Sequence, residues 1–134
     1  MLFSFEDTAV NSNDIMVSAY PELIDGDNSN NELWGFCIRF ENNSNERIRL
    51  TKRDLCITDK CGNSKTLPCF GFNGELPDLE PGEYFEFEDT AQTAGEAVIY
   101  GSCSAITTKG KELKIKLPVI NLSSRNSYQN LLFS

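Results

Sequence analysis

The run from Leu33 to Glu41, L-W-G-F-C-I-R-F-E, constrains this 134-residue chain more than any other segment. Trp34, Phe36, Ile38 and Phe40 alternate with Gly35, Cys37 and Arg39, so four large apolar side chains share one face of a strand. Such a stripe needs a second apolar layer to cover it. It marks a central core strand, where truncating one aromatic is expected to cost about 3–5 kcal/mol. Nowhere do apolar residues hold a 3.6-residue period over three turns.

The rest of the chain repeats the strand signal. Asn42-Asn43-Ser44-Asn45 ends the aromatic run, because Asn and Ser bond their own backbone and tolerate left-handed conformations. A short strand follows with Ile48 and Leu50 inward and Arg47 and Arg49 outward. In the next, Leu55 and Ile57 alternate with Cys56 and Thr58. Asp59-Lys60-Cys61-Gly62 reads as a type I turn into a return strand from about Ser64 to Phe70. Gly71 to Gly82 holds three glycines and two prolines without a clear period. It is a long loop closing on Pro81-Gly82, which suits a type II turn. Phe85 and Phe87 then oppose Tyr84, Glu86 and Glu88, and Val98 to Ile106 is a further strand. Thr108-Lys109-Gly110-Lys111 turns the chain into a last arm, in which Leu113, Ile115 and Leu117 alternate with Lys114 and Lys116 until Pro118. Ile15 to Tyr20 is the first strand, with a polar loop from Asp25 to Asn31. Seven or eight short strands predict an all-β fold, a two-layer antiparallel β-sandwich. Trp34, Phe36, Ile38, Phe40, Phe85, Phe87, Leu113 and Ile115 are expected in its core. The domain spans residues 14–122, after an N-terminal extension (1–13) and before a C-terminal tail (123–134). The tail is read as disordered, the alternative being that its apolar tip, Leu131-Leu132-Phe133, docks on the domain or a neighbour. That tip and the open sheet edges raise the expectation of a homo-oligomer.

The chain has no histidine. That removes Ser-His-Asp and Cys-His nucleophilic catalysis, histidine acid–base work and the commonest zinc ligand. Five cysteines, an odd number with no C-x-x-C pair, fit neither a zinc ribbon nor a redox motif and read as reduced thiols. No metal requirement for folding and no cofactor are expected. A net charge of −8 argues against nucleic acid or an anionic membrane as the main partner. No segment approaches the ~18 consecutive apolar residues of a membrane helix. The acidic N-terminal stretch, M-L-F-S-F-E-D, is unlike a signal peptide, so a cytoplasmic location is expected.

Several of these spans resemble the ApaG family. L-W-G-F-C-I-R-F-E-N-N (Leu33 to Asn43) is similar to the family's aromatic strand with its E-N ending. R-D-L-C-I-T-D (Arg53 to Asp59) resembles the segment in which an Arg precedes a strand ending in T-D. L-E-P-G-E-Y-F (Leu79 to Phe85) is similar to the L-x-P-G-E turn and its strand. Gly101-Ser102 matches a later G-S step, and L-P-V-I-N-L (Leu117 to Leu122) the closing segment. Together they run from about residue 14 to 122 in the family's order. The resemblance implies an immunoglobulin/fibronectin-III-like sandwich used as a protein-interaction module, as in eukaryotic F-box proteins. The family is also associated by name with cobalt and magnesium efflux, although efflux needs a membrane path. Family members often carry a G-x-G-x-x-G loop before the P-G-E turn. Here the stretch reads C-F-G-F-N-G from Cys69 to Gly74, and Pro77 and Pro81 leave no room for the helix that would turn it into a dinucleotide fingerprint.

Two functional classes follow. The first is a non-enzymatic module that binds a protein partner, as yet unidentified. The alternative is a small-anion binding protein for pyrophosphate or a nucleotide, its site formed by the backbone of Gly71 and Gly74 with Arg53 as the charged helper. Arg47, Arg49, Lys52 and Arg53 are the only dense basic cluster, read either as phosphate-facing or as a solvated strand face. Without a helix dipole, anion binding at that loop is expected to be weak, on the order of 10–1000 μM. The acidic run Glu80, Glu83, Glu86, Glu88 and Asp89 reads as surface, since carboxylates at strand spacing lack a Gly-turned loop to close round a cation.

Overall fold

The structure, a computed structural model, describes residues 9–12, 14–26, 32–66 and 76–123. Among them the regular elements are all strands: β1 (Ala9–Ser12), β2 (Ile15–Gly26), β3 (Glu32–Asn42), β4 (Ile48–Asp59), β5 (Ser64–Thr66), β6 (Asp78–Leu79), β7 (Tyr84–Thr93), β8 (Ala97–Thr107), β9 (Glu112–Lys116) and β10 (Ile120–Leu122). Every pairing is antiparallel. One layer has the order β1-β2-β3-β7. The other has β10-β8-β4-β5, with β9 also on β8 and β6 also on β4. No described helix is long and apolar enough to cross a membrane.

The period-two faces meet as expected. Trp34, Phe36, Ile38 and Phe40 of β3 and Phe87 of β7 lie against Ile48, Leu50, Leu55, Ile99, Leu113 and Ile115 of the opposite layer. Phe85 is only half-buried, packed at the margin of this core. The turns follow their residues. Glu83 N–H donates to Glu80 C=O at 3.0 Å across Pro81-Gly82, and Gly82 takes the positive φ of 88° that a type II turn requires. Gly62 N–H closes on Asp59 C=O at 3.0 Å. In the β8–β9 hairpin, Gly110 N–H reaches Thr107 C=O at 2.9 Å with φ 83°, a type I turn ending in a left-handed residue.

Three differences from the sequence reading bear on function. Ala9–Ser12 of the expected extension pairs with β2 and so adds a strand to the first layer. The two short strands expected around Arg47–Leu50 and Leu55–Thr58 are one strand, β4, interrupted by a bulge at Thr51, where the register to β8 shifts between Leu50 and Lys52. The first strand runs beyond Tyr20 to Gly26, with a second bulge between Leu23 and Asp25. The loop residues Gly71 and Gly74 and the tail from residue 124 lie outside the described residues.

Candidate functional site

Most residues that carry the family resemblance have structural work. The side chain of Asn42, fully buried, donates to Glu46 C=O (2.8 Å) and Leu79 C=O (2.9 Å), and its Oδ1 accepts from Ser44 N–H (3.0 Å) and Oγ (2.6 Å). Its backbone donates to Glu83 C=O (2.9 Å) and accepts from Gly82 N–H (2.8 Å). The E-N ending of β3 thus ties down the L-x-P-G-E turn. Asp59, the last residue of T-D, accepts from Cys61 N–H (2.9 Å) and Asn63 N–H (3.0 Å) and caps the β4–β5 turn. Those bonds, Asn63's first, hold its carboxyl below the usual range. Gly101 of G-S has φ 151°, and a Cβ there would fall 1.9 Å from Asp54 C=O, so no other residue fits without backbone movement.

Arg53 differs. Period two counted from Arg47 and Arg49 puts it on the outer face, but the extra residue at Thr51 turns it inward with Leu55 and Ile57. Its side chain is 7% exposed, its guanidinium lies 4.1 Å over the Phe87 ring, and Nη1 meets Asp89 Oδ2 at 3.5 Å. Nε has no hydrogen-bond acceptor among the described residues. Beside it across β4–β8 stands Cys103, whose thiol burial pushes up to about 12.

The other cations of the basic cluster are paired within the molecule. Arg49 grips Asp78 with two bonds (2.9 and 3.1 Å), Arg47 reaches Asp78 (3.0 Å) and Glu80 (3.4 Å), and Lys52 reaches Asp54 (3.6 Å). Asp78 is held below the usual carboxylate range, Arg49 contributing most. These pairs staple β6 to β4. The loop that holds Gly71 and Gly74 starts where Thr66 pairs with Cys56 and returns where Asp78 pairs with Arg49, so its described ends flank Arg53 along β4.

The sequence reading missed a recess on the outer face of the first layer. Gly35, in mid-β3, has no positive φ that would call for glycine. Its missing side chain leaves a recess of about 300 Å³, walled by Tyr20, Glu22 and Ile24 of β2, Cys37 of β3, and Glu88 and Thr90 of β7. Two cross-strand rows build it: Glu22–Gly35–Thr90 and Tyr20–Cys37–Glu88. The bulge at Ile24 swings that side chain across Gly35, where a Cβ would meet its Cδ1 at 3.0 Å. Ile24 is 53% exposed, and Tyr20 and Leu23 are exposed on the same strand. Cys37 is 5% exposed and hydrogen-bonds Tyr20. That bond raises the Tyr20 phenol above its usual value, while burial chiefly raises the Cys37 thiol. Glu86 and Glu88 push both the same way, a mark of negative potential over the recess. The one advance signal was a glycine inside an otherwise clean strand.

Fold and site define an antiparallel β-sandwich domain with a concave acidic and apolar patch on its smaller sheet. The chain belongs to the ApaG-domain family, whose model matches residues 25–106. It is 31% identical over 118 residues to protein ApaG of Beijerinckia indica, covering 87% of this chain and 90% of that protein. Protein ApaG of Methylocella silvestris is 29% identical over 115 residues, with 83% and 88% covered. Among solved structures, the putative ApaA protein of Bordetella pertussis superposes with a TM-score of 0.78 at 20% identity, covering 85% of this chain and 96% of that one.

Proposed function

We propose that this ApaG-domain protein is a non-enzymatic binding module that holds a protein partner on the outer face of the β1-β2-β3-β7 sheet. The observation that carries this reading is the recess at Gly35, made by a glycine that the backbone does not need and rimmed by exposed Tyr20 and Ile24. Exposed apolar side chains gathered round a concavity are what a partner's side chain fills. The cobalt and magnesium association has no counterpart in this reading: among the described residues no group of three or more Cys, Asp or Glu is placed to hold a metal ion. A photo-crosslinking amino acid at Ile24, compared with one at Tyr100 on the opposite layer, tests the reading in cells. A discrete adduct is expected from position 24 alone, and Gly35→Val, which fills the recess, removes it. No adduct, or equal adducts from both positions, overturns it.

A second reading, binding of pyrophosphate or a nucleotide by Gly71, Gly74 and Arg53, is supported by the Arg53 Nε, which has no acceptor among the described residues, and by the loop ends that flank it. Titration with pyrophosphate and a dinucleotide in wild type, Gly71→Val and Arg53→Ala checks it. Saturable binding lost in both folded variants is expected, and its persistence in them excludes this site.

A further inference from the structure

Taking the outer face of the first layer as the binding surface, we infer that the Gly35 recess receives a lysine or arginine side chain from an extended segment of the partner. Three observations converge on a cation with an apolar stem. Glu22 and Glu88 face the recess from β2 and β7, on either side of β3 and two residues apart along it, about 12 Å apart at their backbones by strand spacing and rise. Neither has an ion pair among the described residues. The neighbouring acids differ: Glu86 and Glu41 share Arg39 (3.4 and 3.8 Å), and Asp89 holds Arg53 (3.5 Å). Arg39 itself is stacked 3.7 Å over the Tyr84 ring.

The walls between the two carboxylates are apolar. Tyr20 and Ile24 offer a ring and an aliphatic branch to a methylene stem, and the Tyr20 face attracts a cation at its tip. A hydrated metal ion has no use for such walls, and a carboxylate is repelled by the rim. The occupant is therefore a long basic side chain. A chain carrying a net charge of −8 steers basic partners toward itself and repels a second copy.

The experiment titrates the full, isotope-labelled chain with blocked pentapeptides, Thr-Val-X-Val-Thr, where X is lysine, arginine, norleucine or glutamate. The lysine and arginine peptides are expected to shift the amide signals of Gly35, Cys37 and Thr90 saturably. Norleucine is expected to bind about fivefold more weakly, and glutamate not at all. The preference shrinks as salt rises. Glu22→Gln with Glu88→Gln brings lysine down to the norleucine level, whereas Glu112→Gln on β9 leaves it unchanged. Gly35→Val, whose Cβ meets the flexible tip of Ile24, abolishes binding of every peptide while the folded spectrum is retained. Equal shifts from lysine and norleucine, or lysine shifts that survive the double variant, overturn the cationic occupant. If no peptide shifts Gly35 while the Ile24 crosslink still forms, the surface stands and this occupant falls. Loss of the crosslink removes both.

Discussion

Asn42 shows how one polar side chain in the interior organises two distant segments. Its amide has every donor and acceptor matched, so it stands in the core without the cost of an orphaned group. Asn42→Ala removes the side-chain donor to Leu79 C=O, leaves Ser44 Oγ as the side-chain donor to Glu46 C=O, and is expected to destabilise the fold by about 2–4 kcal/mol, read from urea denaturation. Arg53 is the opposite case, a buried cation only partly matched. Its partner Asp89 is 38% exposed, so water takes over that carboxylate when Arg53 is removed. Arg53→Met is therefore expected to change stability by less than about 1 kcal/mol, while Asp89→Ala strands the guanidinium and costs about 2–3 kcal/mol. The order of these two denaturation midpoints is the check. The reverse order would mean that the Arg53 stack on Phe87 dominates its energetics.

At the scale of elements, two bulges decide which side chains face where. In β4 the extra residue at Thr51 reconciles two apolar pairs of opposite parity, Ile48/Leu50 and Leu55/Ile57, and carries Arg53 inside with the second pair. Deleting Thr51 removes the extra residue and leaves Ile48, Leu50, Leu55 and Ile57 in one unbroken alternation, both pairs still facing the core. The variant is expected to keep the cooperative unfolding transition of the wild type, monitored by circular dichroism, and loss of that transition would mean that the bulge itself is needed for the register of β4 on β8. The bulge in β2 acts outward instead, presenting Ile24 beside Gly35. Neither device shows in a strand-by-strand count of alternation, because a bulge adds one residue and leaves the composition of the strand unchanged.

For the whole molecule, stability has an acid and an alkaline limb. The Asp59 and Asp78 carboxyls are depressed in the folded state, Asp59 by turn hydrogen bonds and Asp78 by Arg49 and Arg47. Their contribution is present above the unfolded carboxylate value near pH 4 and is lost as pH falls through the lower folded values. The Cys103 thiol works at the other end. Raised by burial to about 12 from 9.0, it favours the folded state fully below pH 9, and the unfolded chain gains as pH climbs from 9 to 12. Melting temperature is expected to be flat at neutral pH and to fall at both ends. Cys103→Ala or Cys103→Val is expected to soften the alkaline fall. Thiol labelling of the native protein at pH 8 should reach the exposed Cys61 and spare Cys103.

The sequence alone determined the layered β architecture, because period-two apolar faces on β3, β7 and β9 have to be buried and only an opposing sheet covers them. It also determined the turns at Gly62, Gly82 and Gly110, where a local backbone conformation selects the residue. Family membership was legible in the ordered motifs, whose members Asn42, Asp59 and Gly101 turn out to hold the frame together. What the tertiary structure decided was register and partnership. The inward turn of Arg53, the pairing of Arg47 and Arg49 with Asp78, and the recess at Gly35 each depend on residues far apart in the chain meeting across strands. Local pattern reports which face a residue prefers. Which side chains share that face is set by the long-range pairing of strands.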